Sequence, residues 1–219
     1  MKKRNESIIN ELNLLLRRDF CSEDLIIILE QLYPDTYEKS VGVWEKYTLK
    51  QHTLMVMGQF EKYFSCKDLP LDFNRGIFRL FLALHDIGKP MAISKEGKHL
   101  QHKYTQEYIS KLFKELGIDS KHFNLVMSLV SSDPIGGYLT EKLDEEKTKE
   151  VVRQMAECAG VNARDFFKLL CIYYKVDAGS YTENAGGLKS LDHLFVFDED
   201  NRELNFAINI QHKMDRIDL

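Results

Sequence analysis

The sequence has few of the patterns that would assign it to a class at once. Its cysteines show no CxxC spacing, so a disulfide framework is not indicated and we expect reduced thiols in a cytoplasmic protein. The four thiols are Cys21, Cys66, Cys158 and Cys171. The longest apolar clusters, residues 25–29 and 80–84, are far too short to span a bilayer. No apolar stretch of signal-peptide length follows the basic residues 1–7.

An excess of charge of one sign is also absent. The chain has 30 Lys and Arg residues against 34 Asp and Glu residues, interspersed along its length, for a net charge of −4. A duplex binder needs a positive field, so we expect no duplex nucleic acid and no membrane as partner. A single nucleotide or a strand end is compatible with this charge.

Internal repeats, low-complexity segments and long linkers are missing as well. A chain of 219 residues that is 44% hydrophobic can bury a full core, so we expect a single domain over residues 1–219.

The apolar residues recur with a helical period along most of the chain. This period predicts helices over residues 5–18, 22–33, 43–64, 73–87, 101–116, 121–132, 144–158 and 162–177. Only the tail changes, where residues 194–197 and 203–206 flank the polar run DEDN and predict a hairpin. The predicted fold class is therefore all-α with a small C-terminal β-hairpin.

The adjacent pair His85-Asp86 is the most informative feature. It lies in the run LHDIGKP (residues 84–90), at the end of an apolar helix and just before a Gly and a Pro. A nitrogen and an oxygen donor at the buried end of a helix cost free energy unless something satisfies them. A divalent cation would satisfy both, whereas the ordinary alternative is a helix terminus with a capping Asp.

Two further polar residues fall on apolar helix faces. His52 continues a stripe with Val56 and Phe60, and Asp177 ends a stripe that includes Leu170 and Tyr173. Each alone is more typical of a core histidine or of a helix-end carboxylate. Together with His85 and Asp86 they predict two imidazoles and two carboxylates that point inward from three helices, which one shared cation would stabilise.

The order His52, His85-Asp86, Asp177 in an all-α chain resembles the HD-domain superfamily of metal-dependent phosphohydrolases. The resemblance covers about residues 48–180. It implies an HD-domain helical bundle for this motif-bearing core. The predicted helical N-terminal extension (1–42) and C-terminal hairpin appendage (190–219) lie outside the resemblance. It also implies that His52, His85, Asp86 and Asp177 are the metal ligands. Nitrogen and hard oxygen donors suit manganese, iron, cobalt, nickel or magnesium.

His102 and Asp133 are possible second-metal or pocket residues. His102 begins a helix in register with Thr105 and Ile109, and Asp133 follows Leu129. Members of the superfamily with two metals place additional histidines in these intervals. His102 fits that pattern, but Asp133 stands where a histidine is more usual, so we expect one tightly held metal.

The resemblance implies hydrolysis of a nucleotide, a cyclic nucleotide or another small phosphoester. Asp86 would be both a ligand and the proton acceptor for water. From its position just after Gly88, Lys89 is a candidate contact to the phosphate, with a solvent-facing lysine at a helix end as the ordinary alternative. Lys175, Ser180 and Tyr181 are candidates to line the pocket because they are near Asp177 in the sequence. Histidines without such a pattern, expected at the surface, are His99, His122, His193 and His212.

Two alternatives stay open at this point. One is a catalytically silent metal-binding HD module that works as a sensor or partner domain. The other is a binuclear-iron oxygenase of the same fold, which would need a second metal.

Overall fold

The protein is described by a computed structural model that covers residues 2–95, 97–187 and 191–219. These residues form eleven α-helices and one two-stranded sheet. In chain order the helices are α1 (Lys2–Leu15), α2 (Ser22–Leu32), α3 (Leu49–Tyr63), α4 (Arg75–Leu84), α5 (Lys89–Lys95), α6 (Gln101–Leu116), α7 (Ser120–Leu129), α8 (Pro134–Leu139), α9 (Glu145–Ala159), α10 (Ala163–Gly179) and α11 (Ile208–Asp215). The sheet consists of β1 (Phe195–Asp198) and β2 (Glu203–Phe206). The prediction of an all-α fold with a small C-terminal hairpin is confirmed.

Helix α3 begins six residues later than its sequence pattern predicts, because a capping box fixes its start. The Thr48 hydroxyl accepts a hydrogen bond from the Gln51 amide (3.2 Å), and the Gln51 side chain accepts one from the Thr48 amide (2.9 Å). Residues 43–48 instead form a loop that is closed by a bridge between Ser40 and Thr48. The capping box, and not the apolar residues that precede it, therefore determines where α3 begins.

Three short helices, α5, α8 and α11, are absent from the sequence prediction. In two of them the sequence pattern predicts a helix end or a turn at a proline, whereas that proline lies in the first turn of a new helix. Pro90 is the second residue of α5, and Pro134 is the first residue of α8. Proline is favourable there because its fixed φ suits a helix and its missing N–H would have no partner in the helix.

The hairpin packs against α3 and α10. Its strands pair antiparallel, with Phe195 opposite Phe206. Both rings contact Tyr174 of α10, with centroids 6.4 and 6.2 Å away. Arg202, in the turn, donates hydrogen bonds to the carbonyls of Glu61 and Lys62 at the end of α3. The hairpin therefore connects the two helices; residue 190, the start of the predicted appendage, lies outside the described residues.

A chain of aromatic rings joins α3, α4 and α10. The ring centroids are 5.0 Å apart for Phe60 and Phe78, 5.4 Å for Phe78 and Phe81, and 4.7 Å for Phe81 and Tyr173. These separations suit tilted and edge-on aromatic contacts. No helix among the described residues has both the length and the apolar character needed to cross a membrane.

On its other side, α4 is held by the buried Arg79. Its guanidinium makes a bidentate ion pair with Glu61 of α3 (2.6 and 2.7 Å) and a further bond to Asp19 (2.8 Å). The planar donor fork of Arg matches a carboxylate in this way. Helix α4, which leads into His85 and Asp86, is thus held by packing and by charge.

Gly88 lies where the turn after α4 presses against α6. A Cβ at this position would lie 2.2 Å from the Thr105 amide nitrogen and 2.5 Å from the Tyr104 carbonyl carbon. The Gly88 amide also donates a hydrogen bond to the Thr105 hydroxyl (3.2 Å). Two backbones are therefore in contact here, and there is no space for a side chain.

Replacing Gly88 by alanine is expected to destabilise the fold by about 3 kcal/mol or more, since the obstructing atoms are backbone and cannot rotate away. The matched control is Gly58→Ala in α3, where an added Cβ meets nothing within 4 Å. That change should raise stability by up to about 1 kcal/mol. Urea denaturation measures both free energies; equal effects would contradict the close packing at Gly88.

Candidate metal centre

His85 and Asp86 follow directly after the last residue of α4, and both are buried. The His85 Nδ1 atom lies 2.7 Å from the Leu82 carbonyl oxygen. Because a carbonyl can only accept, Nδ1 carries the proton, and Nε2 of the neutral ring presents a lone pair. The backbone of α4 thus fixes both the tautomer and the direction of the His85 ring.

His52 of α3 and Asp177 of α10 meet this pair. The His52 Nε2 atom is 3.1 Å from Nε2 of His85 and 3.1 Å from Oδ1 of Asp177. The same Asp177 oxygen is 3.5 Å from Nε2 of His85. Oδ2 of Asp86 is 3.5 Å from Nε2 of His52 and 3.8 Å from Nε2 of His85. The structure therefore brings together all four residues implied as ligands.

These separations match those of ligands around one ion. Two donor atoms about 2.1 Å from a cation lie about 3.0 Å apart at a right angle and about 3.4 Å apart at a tetrahedral angle. The ligand atoms of His52, His85 and Asp86 all lie within 4.8 Å of one another, so these three residues form a candidate metal-binding group. Asp177 approaches both imidazoles at comparable distances.

The hydrogen bonds around the cluster leave its donor atoms facing each other. The Ser180 hydroxyl donates to the Asp177 carbonyl (2.6 Å) and can accept from Nδ1–H of His52, 3.4 Å away. His52 then presents the lone pair of Nε2, as His85 does. Oδ1 of Asp177 is shielded from solvent and has no hydrogen-bond partner among the described residues. Lone pairs and a buried carboxylate oxygen at this spacing repel unless a cation or a proton lies between them.

The pKa shifts differ between the members of the cluster. Burial lowers the pKa of His52, which favours its neutral form. Burial also opposes protonation of His85, but the charges of Asp86 and Asp177 outweigh it and raise the pKa of that ring. Burial acts to raise the pKa of Asp177 as well, but the adjacent His52 and His85 rings outweigh it and lower that pKa.

Lys89 completes the surroundings of Asp86. Its Nζ atom donates to Oδ2 of Asp86 at 2.7 Å, and the side chain is buried. Burial opposes the charge of the ammonium, but the Asp86 carboxylate outweighs it and raises the pKa of Lys89. Two aromatic rings border the cluster: Tyr181 stacks on His52 with centroids 4.8 Å apart, and Tyr173 lies edge-on to His85 at 6.0 Å.

A cavity of about 570 Å³ opens onto His85, Asp86 and Asp177. His102 and Asp133 line it as well. The His102 Nδ1 atom donates to the Val130 carbonyl (3.0 Å), and Oδ1 of Asp133 accepts from the Gly136 amide (2.8 Å), which caps α8. Both residues face the pocket, but neither belongs to the group formed by His52, His85 and Asp86.

Of the three further residues expected in the pocket, only Tyr181 lines the cavity. Ser180 lies beneath His52, to which it is bonded. The prediction for Lys175 is wrong, because its Nζ atom lies 4.8 Å from the centre of the Phe206 ring, on the side of α10 that faces the hairpin. Phe206 follows in a strand that the helical period of α10 does not reveal.

The remaining histidines lie outside the cavity. His99, His193 and His212 are exposed, as expected. His122 is only partly exposed: it bonds to Asp119 (2.6 Å) and stacks on Phe73. Two lining residues, Lys98 and Lys142, were missed because nothing distinguishes them from the other lysines in the sequence.

Comparison with models of known protein families, with curated proteins and with solved structures finds no match to this chain. The site is therefore characterised by its own geometry, as a buried cluster of two imidazoles and two carboxylates beside a cavity.

The protein is expected to bind about one divalent ion per chain, and Asp177→Asn should weaken this affinity by more than about tenfold. The amide keeps the size of the side chain but removes its charge. Metal analysis after dialysis against manganese, together with the rise in Tm on adding manganese, measures both effects. His102→Ala should leave the ratio unchanged. A ratio near two that falls to one in His102→Ala would instead show a binuclear site.

Proposed function

We propose that this protein is a metal-dependent phosphohydrolase of the HD-domain type that acts on a small phosphorylated substrate. The observation that carries the proposal is the convergence of two imidazole nitrogens and two carboxylates at 3.1–3.8 Å beside an open cavity. Such a cluster is costly to bury without a cation, and a cation bound there is accessible to a ligand in the cavity.

The residues present fit a divalent ion. His52, His85, Asp86 and Asp177 would hold it through two nitrogen and two oxygen donors, a set compatible with manganese, iron, cobalt, nickel or magnesium. When bound, such an ion supplies Lewis acidity, which acidifies water and offsets charge on a phosphoryl oxygen. The Leu82 carbonyl accepts a hydrogen bond from Nδ1–H of His85, and the Ser180 hydroxyl can accept one from Nδ1–H of His52; these contacts hold the two rings in the orientation that a bound ion requires.

Asp86 and Lys89 would act on water and substrate. The ion pair with Lys89 keeps the Asp86 carboxylate ionised and fixes one of its oxygens. The carboxylate can then accept a hydrogen bond from the attacking water and orient it. The Lys89 ammonium lines the cavity and brings positive charge to the position where the phosphoryl oxygens would lie.

The charges around the cavity support a phosphate ligand. Among the lining residues that the structure describes, three carboxylates are balanced by three lysines. They are Asp86, Asp133, Asp177, Lys89, Lys98 and Lys142. A bound divalent ion would leave two positive charges in excess, which matches a phosphate group. The volume lies within the range of small-molecule sites and can accommodate a nucleotide.

Asp86→Ala is expected to lower hydrolysis of 4-nitrophenyl phosphate by about 10³-fold, because it removes a ligand and the group that orients water. Rates would be measured with manganese, magnesium, cobalt and nickel in turn. Asp68→Ala, an exposed carboxylate outside the cavity, is the matched control, and His122→Ala is a second one. Both should stay within about threefold of wild type.

Equal activity in wild type and Asp86→Ala would assign the hydrolysis to a contaminant or to another site. A wild type that binds the ion but hydrolyses no ester with any of the four metals would favour the silent binding module. The oxygenase alternative needs two irons, so it would be reopened only by a ratio near two that falls to one in His102→Ala, with iron as the metal in the purified protein.

A further inference from the structure

Two solvent-exposed lysines line the cavity. Lys98 lies in the 3₁₀ turn Lys98–Leu100 before α6, and Lys142 follows α8. Both line the cavity that contains His85, Asp86 and Asp177. Within the described part of the chain, neither ammonium makes a hydrogen bond or an ion pair. Lys89, by contrast, is bonded to Asp86.

We infer that Lys98 and Lys142 bind the phosphate of the substrate and select a terminal phosphomonoester over a phosphodiester. The inference rests on the proposed hydrolase function and adds the class of ester. It follows from where the unpaired charges lie: the charge of Lys89 is already shared with Asp86, whereas the other two ammonium groups are available to a ligand.

The two ester classes differ in the negative charge of their phosphate group, and therefore in how many lysines they can pair with. A phosphomonoester is a dianion near neutral pH, so it can pair with both lysines while one oxygen points toward the divalent ion that the His and Asp cluster would hold. A phosphodiester carries a single negative charge and would pair with only one of the two exposed ammonium groups, so it would gain one charge-assisted contact fewer.

The surroundings of Lys98 favour an anion close to it. Partial burial and then the positive charge of Lys89 lower the pKa of Lys98, while Asp86, Asp177 and Glu45 act in the opposite direction. Lys89 and Lys98 therefore repel each other across the cavity. A phosphate bound by Lys98 would offset this repulsion with negative charge and accept a charge-assisted hydrogen bond from that ammonium.

The chemistry also provides a probe that does not depend on turnover. In hydrolysis the water oxygen forms a bond to phosphorus and the ester P–O bond breaks. The electron pair leaves with the alcohol oxygen, which takes a proton. The products are an alcohol and inorganic phosphate, which is again largely a dianion near neutral pH. Inorganic phosphate should therefore bind to the same lysines and inhibit the reaction.

The test compares the double variant Lys98→Gln/Lys142→Gln with Lys111→Gln/Lys114→Gln. The control removes two exposed lysines of α6 that lie outside the cavity. Manganese-loaded proteins are assayed with 4-nitrophenyl phosphate and with bis(4-nitrophenyl) phosphate. Calorimetry measures the binding of inorganic phosphate, and metal analysis checks that both variants hold the ion.

At about tenfold for each charge-assisted contact, kcat/KM for the monoester should fall about 100-fold in the cavity variant, mainly through KM. Hydrolysis of the diester should fall only about tenfold, because its single negative charge can pair with one of the two lysines; phosphate should bind about 100-fold more weakly, and the metal content should not change. The control variant should match wild type in every assay.

The inference is overturned if wild type prefers the diester, or if the cavity variant loses both activities equally. The failure of the proposed function would look different: wild type would hydrolyse neither ester with any metal. In that case the calorimetric measurement of phosphate binding still tests the lysine site, because it does not depend on hydrolysis. Loss of phosphate binding in the cavity variant alone would support the lysine site, and unchanged phosphate binding would refute it.

Discussion

The mutual repulsion of unprotonated donor atoms in the core is the constraint on which the structure depends. Two imidazole nitrogens lie 3.1 Å apart, and a solvent-shielded carboxylate oxygen lies at a similar distance from both. Left alone, these atoms would separate or take up a proton. Three helices hold them in place, so the packing between α3, α4 and α10 bears the electrostatic cost of keeping these atoms together.

The rest of the fold provides that packing. The aromatic chain from Phe60 to Tyr173 fills the space between the three helices, and Arg79 binds α4 to α3 from the other side. The hairpin adds contacts from outside these helices. Its turn donates hydrogen bonds to carbonyls at the end of α3, and two of its aromatic rings pack against α10. Each contact is modest, but together they act on the helices that carry the cluster.

Much of the fold and the residues of the cluster could be predicted from the sequence, because helical period and stripe position are local properties. His52 and Asp177 were placed by spacing alone. The prediction failed where tertiary contacts decide: Pro90 and Pro134 begin helices, Lys175 faces the hairpin, and Lys98 and Lys142 reach the cavity from turns. The metal-ligand and catalytic roles stay predictions, since geometry shows proximity and not turnover.

The contact at Gly88 determines a dimension of the cavity. On one side of it are His85 and Asp86; on the other, α6 begins with Gln101 and His102. Because two main chains touch there without a side chain between them, rotamer changes cannot widen this junction. Substitutions of the lining side chains can therefore change the chemistry of the cavity surface, while the spacing between these two main chains stays the same.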